Sequence, residues 1–264
     1  FIGCFLGVAT LMFSCSEMNE SFSPAQEQIS INGTLDGFSA MPLTRTQVGS
    51  MAEDGALLME WSVGDQVGMF GGNTVNAPFT GNHTAPAAQT TFLLFIASGD
   101  VPQYAYYPYN EQAVNLQSIP VVIPTEQAYA DVNSIAAYDV KATDVITDMG
   151  NGTYQLNMRQ MVSLVRFEIS LTGVDGLSTD EKLQRVELKT GAPVTGSYTY
   201  DLTNLDNGFT GLSDAQSTSL NLTFVNQPSL SEKVIAYAVA APGTQGGKTW
   251  ECTFLSDKHQ VSFT

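Results

Sequence analysis

Tyr104, Tyr106, Tyr107 and Tyr109 crowd into six consecutive positions and form the densest group of side chains able to meet a ligand. Their rings could stack on the faces of sugars. A half-buried strand, with ring bodies packed and hydroxyls wet, is the commoner origin of such a group. Carboxylates are plentiful, 26 Asp and Glu, so a glycosidase-type acid pair has raw material. No spacing singles out one pair, and no nucleophile elbow, phosphate loop, dinucleotide fingerprint or zinc signature occurs. His83 and His259 are the only histidines and stand apart from any cysteine pair, so neither a metal nor a cofactor is expected. Asn204, Asp206 and Gly208 have the start of a calcium loop but not its repeated ligands or closing Glu, and read as a hairpin turn.

Arg45 is the only Lys or Arg before Lys141. A trypsin-like or Arg-specific protease therefore has one place to cut in that whole stretch. Chance in a Lys-poor chain is the competing explanation. The balance of 10 basic against 26 acidic residues, net −16, excludes nucleic acid as a natural partner, because binding it needs clustered cations.

Residues Phe1 to Ser14 read FIGCFLGVATLMFS and carry no charge. A spanning helix needs about 20 apolar residues, so this run is too short to cross a membrane. It fits the apolar region of a secretory signal, and Ser14 before Cys15 resembles a bacterial lipoprotein signal. Residues 1–14 are then the signal and Cys15 the lipidated residue. Ser16 to Glu20 follow as a polar, acidic tether. With no second apolar run of spanning length, lipid is the expected anchor. Three cysteines make no disulfide framework, and Cys252, on an alternating apolar face, reads as a small buried hydrophobe.

The elements that must position these residues are strands. Charged residues make up only 14% of the chain, against about 25% in average soluble domains. Period-two alternation runs through Ile29, Ile31 and Leu35, then Val67 and Met69, Phe92 and Leu94, Tyr104 and Tyr106. The clearest strand is Met161 to Leu171, with Val165, Phe167, Ile169 and Leu171 on one face. Val121 to Ile123, between Pro120 and Pro124, is confined to an edge or a strand end. No amphipathic helix is expected, and residues 125–139, Ala-rich without a clean 3.6 period, read mainly as loop. Many short strands with regular turn signals predict an all-β protein of two tandem sandwiches. Gly150-Asn151-Gly152 marks the boundary, giving domains at 15–152 and 153–264.

The order of these features resembles the fimbrillin family, the pilins and fimbrillin-like lipoproteins of Bacteroidia-type (type V) pili. The likeness is carried by the start at Cys15, by Thr44-Arg45-Thr46, and by Trp61-Ser62-Val63-Gly64-Asp65-Gln66-Val67-Gly68-Met69-Phe70. It is carried further by Tyr104-Ala105-Tyr106-Tyr107-Pro108-Tyr109 and by Met158 to Ile169, where Gln160 replaces the family's usual His. The resemblance implies two transthyretin-like (Ig-like) β-sandwiches and a precursor carried to the outer membrane by its lipid. It implies a cut by an Arg-specific protease after Arg45 and removal of the first strand, with Ile29, Ile31 and Leu35 as its core-facing side chains. A strand from another pilin subunit would fill the groove. No enzyme activity is implied, and the adhesive target, a surface receptor or glycan, is left open. Two alternatives stand beside it: a non-polymerising glycan- or ligand-binding surface lipoprotein using Tyr104–Tyr109, and a secreted carbohydrate hydrolase.

Overall fold

A computed structural model describes residues 26–35, 47–51, 57–170, 180–243 and 247–264. The chain is all-β. First come β1 (Gln26–Leu35), β2 (Gln47–Met51), β3 (Leu57–Glu60), β4 (Gln66–Gly71), β5 (Thr74–Thr80), β6 (Gln89–Ala97) and β7 (Tyr104–Tyr107). Then follow β8 (Ile119–Ile123), β9 (Glu126–Tyr129), β10 (Lys141–Thr143), β11 (Ile146–Gly150), β12 (Thr153–Gln160), β13 (Ser163–Ile169) and β14 (Leu183–Lys189). The last are β15 (Thr195–Tyr200), β16 (Thr210–Ser217), β17 (Ser219–Phe224), β18 (Val234–Ala240), β19 (Glu251–Ser256) and β20 (Gln260–Phe263).

The first unit is one curled sheet in the order β5-β4-β7-β10-β12-β1-β6, with β11 also on β12. Its two ends approach: Gly81, just after β5, bridges Phe92 of β6, and Asn82 N–H donates to Thr91 O at 2.8 Å. The curl encloses a core of Ile29, Ile31, Trp61, Phe79, Phe92 and Met158 among others. Trp61 and Phe92 meet edge to face with centroids 5.3 Å apart, and Phe79 meets Phe92 at 5.1 Å, the geometry that aromatic quadrupoles favour.

The second unit packs β13-β18 and β16-β15-β8 against β20-β19-β14-β17-β9. Phe167, Val186, Leu188, Leu220, Leu222 and Ala236 to Ala240 fill it. Alternation along β14 and β17 places each apolar residue inward, as the period of a pleated strand requires. Gln127, 1% exposed, closes one side of this core. Its amide donates to Val239 O at 2.7 Å and accepts from Val239 N–H at 2.9 Å, acting as one extra peptide unit on β18.

The units share a wall. Along β4 and β7, Met69, Ala105 and Tyr107 face the first core, and Phe70 and Tyr106 face the second. Two sequence expectations change here. The turn at Gly150-Asn151-Gly152, with φ of 85, 54 and 69°, does not separate the units. It joins β11 to β12, and both strands belong to the first sheet. Conversely β8 pairs with β15, and β9 runs parallel to β17, so residues 119–129 build the second unit. The stretch 125–139, expected mainly as loop, holds β9 and a 3-10 helix, Val132–Tyr138. Asp131 caps that helix by accepting from Asn133 N–H at 2.8 Å, while Ile135 is buried beneath it. β8 ends its sheet, as its flanking prolines require.

Candidate strand-exchange site

β1 is not a terminal edge. It lies between β12, to which it is parallel, and β6, to which it is antiparallel. Ser30 faces Thr153 on one side and Leu93 on the other, and Ile31 faces Tyr154 and Phe92. The strand therefore gives its backbone groups to two neighbours and its inner side chains to the first core. Ile29 and Ile31 are 2% and 0% exposed. Each contributes about 1.5–3 kcal/mol of burial before entropy is subtracted. Gln28 and Asn32 are exposed on the outer face, so a one-residue slip would bury amides and expose isoleucines. Leu35 ends β1 opposite Met158.

Gly33 completes the inner face. A Cβ at this position would stand 2.6 Å from Phe92 Cε2 and 3.6 Å from Trp61 Cζ2. The ring of Phe92, itself fully buried, occupies the space that any other residue would need. The slot is thus shaped for isoleucine, isoleucine and glycine at alternate positions of an extended segment. Cys15 and Arg45, the expected lipidation and cleavage positions, lie outside the described residues.

The tyrosine cluster takes a different role from the glycan platform weighed as an alternative. Tyr106 and Tyr107 are each 1% exposed, and Tyr104 and Tyr109 are half-buried. With the two central rings inside the protein, the four cannot present a common stacking face. Tyr106 Oη donates to Asn76 Oδ1 at 2.6 Å and accepts from Asn110 N–H at 3.0 Å. Burial pushes its phenol up to about 12. Tyr107 Oη donates to Asp65 Oδ1 at 2.8 Å, and the other Asp65 oxygen accepts from Ser62 N–H at 2.7 Å. The two sequence motifs around Trp61 and Tyr107 are therefore parts of one structure, the wall facing β1.

One polar constellation was not anticipated. Glu181 is fully buried, and both Ser256 Oγ and His259 Nδ1 bond to its carboxylate, the latter at 2.8 Å. Ser256 also accepts from the backbone N–H groups of Lys258 and His259. Serine and histidine each address the carboxylate instead of each other, so the arrangement lacks the nucleophile–base hydrogen bond of hydrolytic triads. It ties the β19–β20 turn to the start of β14. Among the described residues no group of three or more His, Cys, Asp or Glu side chains is placed to hold a metal ion. Cys252 is half-buried, and burial pushes its thiol up to about 11, away from the reactive thiolate.

No family model and no curated protein matches the chain. Solved structures do resemble it in fold. A Bacteroides uniformis protein, provisionally described as a cell adhesion protein, superposes with a TM-score of 0.52 at 12% identity, covering 89% of this chain and 83% of that one. A Bacteroides ovatus protein with the same provisional description gives 0.56 at 11% identity, covering 90% and 86%. At such identities the likeness is one of fold.

Proposed function

We propose that this chain is a fimbrillin-like surface lipoprotein, a structural or accessory (tip or anchor) subunit of adhesive pili that assemble by exchange of β1. The observation that carries the reading is the seat of β1 between β6 and β12, with Ile29 and Ile31 in the core. Withdrawing that strand leaves a slot with hydrogen-bonding groups on both sides and an apolar floor. An extended segment from another subunit can satisfy both, whereas an empty slot invites aggregation. The removable segment is followed in sequence by Arg45, and no other Lys or Arg precedes Lys141. In this reading Cys15 carries the lipid that holds the precursor at the outer membrane, an Arg-specific protease is the processing partner, and neighbouring subunits supply the replacement strand. The cell-adhesion descriptions of two proteins of similar fold support a surface role.

The test is limited digestion of protein beginning at Cys15 with an Arg-specific protease. Arg159, Arg166 and Arg185 sit within β12, β13 and β14, where a paired backbone resists cleavage. A first cut after Arg45 followed by a ladder of oligomers is the expected result. A first cut after Arg159, Arg166 or Arg185 would count against an accessible loop after β1. A single cut at Arg45 with monomers only would favour the non-polymerising binding lipoprotein.

A further inference from the structure

A group of buried polar side chains between β10 and β12 takes no part in the strand-exchange reading. Lys141 is 0% exposed, an unusual place for an ammonium group. It stands directly opposite Gln160 in the antiparallel β10–β12 ladder, and its other strand neighbour is Tyr107 of β7. Lys141 Nζ lies 3.3 Å from Gln160 Oε1, one bond short of the amide carbon. At the other end of that amide, Gln160 Nε2 donates to Asp139 Oδ1 at 2.8 Å, and Asp139 is 1% exposed. One primary amide is thus held between a buried amine and a buried carboxyl group.

The three groups stand in a chain. The amine is in hydrogen-bond contact with the amide oxygen, at the end of the group opposite the nitrogen that would leave. The carboxyl group touches the nitrogen that would leave. The neutral amine is the nucleophile, so a proton must first leave the Lys141 ammonium. We propose that Lys141 and Gln160 join in an intramolecular isopeptide bond, with Asp139 carrying the proton.

The step balances without a cofactor. A proton passes from the Lys141 ammonium to the Asp139 carboxylate. The Nζ lone pair attacks Gln160 Cδ, and the carbonyl electrons move onto Oε1. Asp139 gives its proton to Nε2 and takes one from the now cationic Nζ. As the carbonyl re-forms, the Cδ–Nε2 bond breaks and ammonia leaves. The bond formed is Nζ–Cδ, and nothing is oxidised or reduced. The product ties β10 covalently to β12. Because β12 is one wall of the β1 slot, the link would hold that wall to the rest of the sheet when β1 is withdrawn, but its formation does not depend on strand exchange.

Mass spectrometry of the purified, denatured full chain and its tryptic peptides tests this. The expected result is a branched species joining Thr46–Arg159 to Gln160–Arg166, lighter than the sum of the two peptides by one ammonia, with no cleavage after Lys141. Lys141→Arg and Asp139→Asn should both be cut after position 141 and give the Gln160–Arg166 peptide unlinked and at full mass. Wild-type protein that yields an unmodified Gln160 peptide and is cut after Lys141 overturns the proposal, whatever the variants do.

Discussion

Tyr107 Oη reaches Asp65 Oδ1 at 2.8 Å across 42 positions of sequence, joining the turn after Trp61 to the strand that backs the β1 slot. The Tyr107 ring also meets Trp61 edge to face at 5.5 Å. A hydrogen bond to a charged group contributes about 1.5–3 kcal/mol, so Tyr107→Phe should lower the unfolding free energy by that order. Asp65→Asn should cost a similar amount, and the double variant less than the sum of the two. Urea unfolding of the three proteins measures this; additive losses would show that the two groups do not act together.

Gly33 is the position where the slot has least room. Gly33→Ala places a methyl group against the Phe92 ring, and Phe92 is itself enclosed by Trp61 and Phe79. Overpacking of this kind costs about 1–3 kcal/mol. The loss should appear in thermal unfolding of the intact chain. A β1 peptide bearing the same change should also compete less well for the slot once the native strand has been cut away.

Gln127 predicts a loss from an amide far from β1. Gln127→Leu keeps the volume but leaves Val239 N–H and C=O without the partners they have at 2.9 and 2.7 Å. Each buried group stranded in this way costs about 1–3 kcal/mol. Chemical denaturation should show the drop, and hydrogen exchange should localise it to the Val239 amide.

Acid should loosen the β4–β5 turn. Asp100 accepts from Asn73 N–H at 3.0 Å and from Thr74 Oγ1 at 2.7 Å. The Asn73 backbone hydrogen bond, then that of the Thr74 hydroxyl, hold its carboxyl below the ordinary aspartate value. A depressed folded value means stability that is fully present above the unfolded value and lost as pH falls through the folded one. The difference in melting temperature between wild type and Asp100→Asn should therefore be widest near neutrality and shrink below the ordinary aspartate range. A difference that stays constant into acid would remove Asp100 as the cause.

Much of this was legible from residue order, and the rest has a physical reason for being hidden. Ile29 and Ile31 and the strand around Phe167 announce themselves because one face is buried and the other wet. The slot's fit at Gly33 was not visible, since it depends on Phe92, a residue brought near only by the β1–β6 pairing. The 3-10 helix at 132–138 has too few turns to show a helical period. Gln127 reads as an ordinary polar residue until β9 and β18 are packed together. The boundary at Gly150-Asn151-Gly152 misled because a strong turn signal reports a change of direction, not a change of core. The tyrosines at 104–109 show the same limit: their chemistry is plain in sequence, but which core each ring enters is decided by neighbours across the sheet.

The long-range pairing of β8 with β15 and of β9 with β17 sets an order of events during synthesis. Residues 119–129 leave the ribosome well before residues 195–224, which must receive them. Until then two β-strands, with Ile119, Ile123 and Tyr129 bare, have no native surface to join. The second unit therefore closes from its carboxyl-terminal part back onto a segment already delivered. A chain stalled between these points holds its middle open, and it is at that stage that a holding chaperone would have something to grip.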